Sequence, residues 1–441
     1  MIEMKKKVNT SMQARKVPLL NQKAEDPKWF HSFIPFKIAT GGSSQIVPLY
    51  AMQMGAGAGE VGLLTSISTL TSTIGTVFWG KLSDKLLKRK VFIIMGFLSV
   101  SFFLAVLSMV NNFWELLIVN SLYSFFLGST VSIPIVLLFR NVRKTRWEEG
   151  VGKFNKIGGW AWVVGLLLGF VLVRFLTFRE LLLLFALLNI PAFIIAWKTI
   201  REAPVYLHRS NIKPFVNQVI QKGRYLPNFL VHLPTRLKIS PKFRGLYLSS
   251  FFFWVSSGMY STQLPVFLIK NGFTNQEVFG MALLNSSISA LLYQRVGRKL
   301  ESRSAVLALM QGYFSRTVGI SLLLLPLAVP NSLLFLSIAS YVLWGYSWSY
   351  ISVSLTSLIG RMSTPREQGN ALATSNLVNS SGFILGSLIG GVVASKIGFD
   401  LNFASASVLS FLAIIPLLPL MRPLISISTF KRSIPHIRRR N

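Results

Sequence analysis

The sequence predicts an all-α membrane protein with twelve transmembrane helices in two pseudo-symmetric six-helix bundles. Three observations lead there. Long apolar runs recur along a chain of 441 residues that is 51% hydrophobic and only 14% charged, whereas soluble domains carry roughly one quarter charged residues. The cations collect in alternate intervals between those runs. A set of residues in the first half also returns in the second at a fixed offset.

A helix of about 20 apolar residues crosses a hydrocarbon core of about 30 Å. The first half then holds spans at 31–54, 60–80, 91–110, 114–138, 155–174 and 180–198. The second holds spans at 244–269, 276–296, 304–326, 331–359, 369–395 and 400–421. Residues 1–30 are polar and basic and lack the early apolar region of a cleaved signal peptide, so they form a cytoplasmic N-terminal segment before an uncleaved first span. Residues 31–198 and 244–421 make the two bundles, 199–243 a cytoplasmic linker, and 422–441 a basic cytoplasmic tail. The linker carries Pro204, Pro214, Pro227, Pro234 and Pro241 among many cations and cannot span. Within it Phe215, Val216, Val219 and Ile220 recur at helical spacing, which fits either a short interfacial helix or a solvated linker.

The net charge of +32 would suggest nucleic-acid binding in a soluble protein. Here the cations lie in the termini and in the intervals around Lys81–Lys90, Arg140–Arg146, the linker, Arg295–Arg303 and Arg361–Arg366. That places both termini on the cytoplasmic side of the plasma membrane, with anionic lipid rather than nucleic acid as the partner. The chain contains no cysteine, so disulfides and thiolate chemistry are excluded. His31, His208, His232 and His436 show no metal-ligand spacing and no P-loop occurs; no enzyme activity, cofactor or metal is expected.

The repeat is specific. Pro48, Gly55, Glu60 and Val61 recur as Pro265, Gly272, Glu277 and Val278, and Asn155, Gly165 and Gly169 recur as Asn376, Gly386 and Gly390. Duplicated halves are a common architecture of secondary transporters.

Between the second and third spans lies Gly80-Lys-Leu-Ser-Asp84-Lys-Leu-Leu-Lys-Arg89-Lys90. A basic loop would explain the cations but neither Gly80 nor Asp84. The stretch resembles the signature of the major facilitator superfamily at this point of the topology, Gly-x-Leu-small-Asp-basic-x-Gly-basic-basic, with Leu87 where the second Gly is usual. The second-half copy is degenerate, with Gln294 and Arg298 in place of Gly80 and Asp84. The resemblance implies that Gly80, Asp84, Arg89 and Arg140 form a gate. Asp84 would pair with Arg140 and with the Gln368–Asn370 turn while the cavity opens outward, and would release them when it opens inward.

The resemblance also places the first, fourth, seventh and tenth spans around a central cavity. Their polar residues must turn away from lipid in any case. Lys37, Gln45, Asn120, Tyr123, Tyr260, Gln263, Trp344 and Trp348 are the substrate-binding candidates, with interhelical bonding as the alternative role for the amides and hydroxyls. Trp344 and Trp348 stand one turn apart, as in an aromatic wall or a packing face. Lys37 lies one or two turns inside its span, where an ionisable group marks function or snorkels to the surface. Arg316, deeper in the ninth span, reads as structural, bonded to neighbouring carbonyls. No acidic residue sits mid-span, and Ser124 stands where the family's fourth-span pattern has Arg, which argues against ordinary proton symport. No Pro follows Gly169, so the antiporter motif is not met. The sequence thus points to a monomeric secondary transporter of a small neutral or amphipathic organic solute working by alternating access. The alternatives are an organic-anion transporter using Lys37 and a transporter-like membrane sensor that moves nothing.

Overall fold

In the computed structural model, the described residues are 27–86, 88–141, 147–200, 240–302, 304–327, 332–364 and 367–421. The N-terminal segment to residue 26, most of the linker and the tail lie outside them. So do Leu87, Arg143, Lys144, Arg146, Arg303 and Arg366. The described chain is helical throughout, with no strand. The α-helices are α1 Phe33–Ser43, α2 Ile46–Gln53, α3 Ala58–Leu86, α4 Arg89–Leu107, α5 Phe113–Leu127, α6 Ile133–Asn141, α7 Trp147–Leu172, α8 Phe178–Leu188 and α9 Ile190–Thr199. The second half contributes α10 Arg244–Lys270, α11 Asn275–Ser302, α12 Ala305–Ser321, α13 Leu333–Met362, α14 Gln368–Lys396 and α15 Phe399–Leu412.

These helices group into twelve stretches, because α1 continues into α2, α5 into α6 and α8 into α9 with only short breaks. Proline accounts for the breaks. Pro48, Pro134 and Pro191 each stand in the first turn of the resumed helix, where a missing N–H removes no bond. At the other kind of end, carboxylates hold the helix starts. The backbone N–H of Gly57 donates to Glu60 Oε2 at 2.7 Å, that of Thr177 to Glu180 at 2.7 Å and that of Thr274 to Glu277 at 2.7 Å. Each fills donors that a helix N-terminus leaves open.

The Gly80–Lys90 interval is more ordered than a loop. Helix α3 runs through Gly80 to Leu86, and α4 begins at Arg89, so most of that interval is the last turns of one helix and the first of the next.

The internal repeat reappears as repeated contacts. A Cβ on Gly165 of α7 would lie 2.1 Å from Ile38 O of α1, and one on Gly386 of α14 would lie 2.0 Å from Val255 O of α10. Likewise a Cβ on Gly41 would lie 2.7 Å from Trp162 O, and one on Gly258 would lie 2.5 Å from Phe383 O. Ile38 is to Val255, and Gly41 to Gly258, as Gly55 is to Gly272. Those last two glycines also share a left-handed backbone, φ 89° and 86°. Glycine lets these backbones touch.

Eight stretches are long and apolar enough to cross a membrane. The four that fall outside that set are 33–53, α10, α11 and α13, and three of them carry Lys37, Gln45, Tyr260, Gln263, Trp344 and Trp348. A helix that lines a wet or protein-filled interior need not be apolar all round. Large side chains such as Phe102, Trp114, Phe175, Trp197 and Phe335 are exposed on the outside, as lipid contact requires.

Among the described residues, the halves meet closely at one end. Helix α3 begins against the end of α14, where a Cβ on Gly62 would lie 2.6 Å from Ser387 O and 2.8 Å from Gly391 Cα. The end of α7 meets the start of α11, with a Gly169 Cβ 2.4 Å from the Phe279 ring and a Gly280 Cβ 3.0 Å from the Phe170 ring. At the opposite end of three of these helices, the Cβ positions of Gly152, Gly297 and Gly369 meet nothing within 4 Å. The apolar packing agrees. One core joins residues of both halves, while a second, around Phe243, Tyr247, Leu300, Tyr350 and Leu417, belongs to the second half alone.

Candidate functional site

The first-half candidates sit on α1, the α1–α2 break and α5. The half-buried Lys37 lays its stem on Gly158, whose Cβ position is 3.6 Å from Lys37 Cγ, and points its ammonium at the rings of Phe36 (5.6 Å) and Trp162 (5.8 Å). No carboxylate bonds it among the described residues. Gln45, half-buried, occupies the helix break itself. Asn120 is buried and donates to Ser68 Oγ of α3 at 2.6 Å. Tyr123, also buried, reaches Ser43 of α1.

The second-half candidates form an aromatic group on α10 and α13. The buried Tyr260 shares a 2.7 Å hydrogen bond with Ser340, and its ring meets Trp344 edge-on at 5.1 Å. Tyr341 lies 5.4 Å from Trp344. Trp348 packs edge-on against Trp254 at 5.6 Å, and Trp254 against Phe383 at 5.9 Å. Trp344 and Trp348 are only half-buried. Gln263 is different in kind: fully buried, it donates across the halves to Ala58 O at 3.1 Å. It belongs to the closed seam, beside the Ser66–Ser387 hydroxyl pair at 2.8 Å.

Sequence reasoning left one feature out and misjudged another. Trp162 and Trp254 bring aromatic faces to Lys37 and Trp348, and their positions on the helices next to the candidates were the available signal. Arg316 is bonded not to carbonyls but to Ser347 Oγ, at 2.9 Å, and is wrapped by the rings of Trp344, Phe253 and Tyr260 at 5.2, 5.6 and 5.9 Å. It therefore touches the aromatic group directly.

At the other end of the molecule, Gly80 lies within α3 with Ser132 Oγ 3.4 Å from its Cβ position. Arg89 Nη2 donates to Asp84 Oδ1 at 2.7 Å; the Arg89 side chain is 5% exposed and that of Asp84 67%. Arg140 lies on α6, and its side chain is outside the described residues, as is that of Gln368. Nearby, Lys242 bonds Glu367 at 2.6 Å and holds that carboxyl below its usual range.

Apolar helices with polar and aromatic residues turned inward, two halves that repeat each other's contacts, and a seam closed at one end define a multi-pass membrane transporter rather than an enzyme. The chain belongs to the major facilitator superfamily, whose family model matches residues 36–381 and again 246–441. Similar relatives include the multidrug resistance protein MdtG of Yersinia enterocolitica, 21% identical over 82% of this chain and 84% of that one. The protein of the same name from Klebsiella pneumoniae is 24% identical over 86% of this chain and 89% of its own. Among solved structures, a POT family transporter in complex with a thioalcohol-conjugated peptide superposes with a TM-score of 0.73 at 13% identity, covering 90% of this chain and 96% of that one. The fold is thus that of secondary transporters.

Proposed function

We propose that the chain moves a small neutral or amphipathic organic solute across the plasma membrane by alternating access. In this reading residues 31–198 and 244–421 are two six-helix bundles that cross the membrane twelve times, joined by a cytoplasmic linker at 199–243. Both the N-terminal segment and the basic tail at 422–441 then lie in the cytoplasm, and the chain acts as a monomer. The observation that carries the reading is the seam. Four helices touch across the halves at the end holding Gly62, Gly169, Gly280 and Gly391, whereas at the other end of three of them the Cβ positions of Gly152, Gly297 and Gly369 meet open space. With the basic residues inside, this is the inward-open state. Outward opening would break the first set of contacts and bring Asp84 on α3 to Arg140 on α6 and the start of α14. The name of the multidrug-resistance relatives is in keeping with an amphipathic cargo.

Tyr260, Trp344 and Trp348 would hold the apolar body of the solute, with Lys37, Gln45, Asn120 and Tyr123 facing it from the first half and Gln263 closing the outer seam. Anionic lipid is the second partner. A groove of about 560 Å³ between Ile34, Ile38, Ile157 and Val164 ends at Lys153 and Lys156, which suits an acyl chain below a phosphate.

The test is to screen amphipathic solutes by thermal stabilisation of the purified chain, then measure counterflow in proteoliposomes. Saturable exchange of a stabilising solute is expected. Stabilisation without exchange would mean a sensor and would overturn the reading. An organic anion is the second reading, favoured by the rings rather than carboxylates around Lys37. Lys37→Met should weaken an anionic solute at least tenfold and a neutral one less than twofold.

A further inference from the structure

We propose that Arg316 sets the charge selectivity of the Tyr260–Trp344 wall, disfavouring cationic solutes and favouring neutral or anionic ones. The inference rests on reading the half-buried Trp344 as part of the binding surface, with the fully buried Tyr260 packed beside it. An aromatic ring attracts cations through its electron-rich face, so an aromatic wall taken alone would suit cationic solutes. Here the wall is already charged from behind. The Arg316 guanidinium lies 5.2 Å from the Trp344 ring and 5.9 Å from that of Tyr260, and arginine keeps its proton in proteins.

The charge is poorly used by its own surroundings. Arg316 is 2% exposed, and among the described residues its one acceptor is the Ser347 hydroxyl at 2.9 Å, with Nη2 left without a partner. Among the described residues, no acidic side chain is buried. The carboxylates that bond are spent on helix starts, as Glu60, Glu180 and Glu277 are, or on the exposed pairs of Asp84 and Glu367. Lys37 in the other half is held in the same manner, by rings and not by a carboxylate. A purely structural arginine would be expected among carbonyls or carboxylates, where its fork of donors is satisfied. One with a single hydroxyl acceptor leaves its field to act on whatever lies beyond the rings.

A cation on the open face of Trp344 would stand about 10 Å from that guanidinium. At an effective dielectric constant of about 20, repulsion at this distance lowers affinity by roughly tenfold. An anion at the same place gains by a similar factor, and a neutral solute is unaffected.

The experiment uses the purified full chain in detergent and three probes of one shape: 2-naphthylethylammonium, 2-naphthylacetamide and 2-naphthylacetate, titrated by calorimetry. The wild type should bind the ammonium about tenfold more weakly than the amide. Arg316→Met should bring the ammonium to within about twofold of the amide, and Arg316→Lys should keep the wild-type order. Arg316→Gln serves as a second neutral replacement should Met prevent folding. Equal binding of ammonium and amide by the wild type overturns the proposal whatever the variants do. So does a parallel loss for all three probes in the neutral variants, which would mark Arg316 as packing alone. Trp344→Leu separates the two readings. If it leaves all three affinities unchanged, or if the wild type binds none of the probes, the wall itself is not the site and both fall. If it weakens all three while Arg316→Met leaves their ratio intact, only the role of Arg316 is lost.

Discussion

Asp84 shows how a single side chain can matter for turnover and little for stability. Its carboxylate is 67% exposed and bonded to Arg89, and an exposed ion pair contributes about 0–1 kcal/mol. Asp84→Asn should therefore leave the melting temperature of the purified protein within a degree or two. In the proposed cycle the same carboxylate must re-pair with α6 and α14 when the chain opens outward, so uptake in proteoliposomes should fall at least tenfold. Uptake at the wild-type rate would remove Asp84 from the gate. The sequence made Asp84 conspicuous, since a generic basic loop has no use for it. It could not show which partner the carboxylate holds in the state described, because partners in a gate change with conformation. Arg316 was conspicuous too, as a lone charge in an apolar span, but its surroundings depend on how α12 rotates against α10 and α13. Spacing along one helix carries no record of that.

The helices themselves were largely legible. Apolar run length fixes a membrane helix to within a few residues, and the observed ends differ from the expected ones mainly where polar turns extend a helix beyond the hydrocarbon. Helix α3 continues to Leu86 and α7 starts as early as Trp147 for this reason. Breaks inside a span were less legible. Pro48, Pro134 and Pro191 interrupt theirs, whereas Pro265 is accommodated within α10. Helices α7 and α14 approach α1 and α10 through glycines, among them Gly165 and Gly386. Adding one methyl there should be costly, since the neighbour is backbone. Gly165→Ala and Gly386→Ala should each destabilise by about 1–3 kcal/mol or more, the range for overpacking. Gly159, on the same helix as Gly165, has open space at its Cβ position, and Gly159→Ala should be neutral or stabilising by up to about 1 kcal/mol. Thermal unfolding of the three variants side by side checks this. Equal effects at Gly159 and Gly165 would contradict the interlock.

At the scale of the whole molecule, the half-chain repeat forecast that contacts would come in pairs, and they do. The asymmetry between the two ends of the seam was not legible, because in the proposed cycle one sequence supports both arrangements. It can be tested cleanly in a chain without cysteine. A Cβ on Gly59 would lie 3.6 Å from Ser395 Cβ, close to the roughly 3.8 Å of a disulfide. The double variant Gly59→Cys, Ser395→Cys should cross-link under mild oxidation and lose transport, and a reductant should restore it. Full activity of the cross-linked protein would show that this end never opens.

Helix α3 takes part in that seam at one end and carries Gly80 and Asp84 of the proposed gate at the other. Thr65, Ser66, Ser68, Thr69, Thr71, Thr73 and Thr76 along it each send a hydroxyl back to a carbonyl one turn earlier. Hydroxyls that share carbonyls with the backbone amides loosen a helix and let it bend. In the proposed cycle such a rod could bend along its length, so that a shift begun at either end would be taken up gradually by curvature instead of by one abrupt swing.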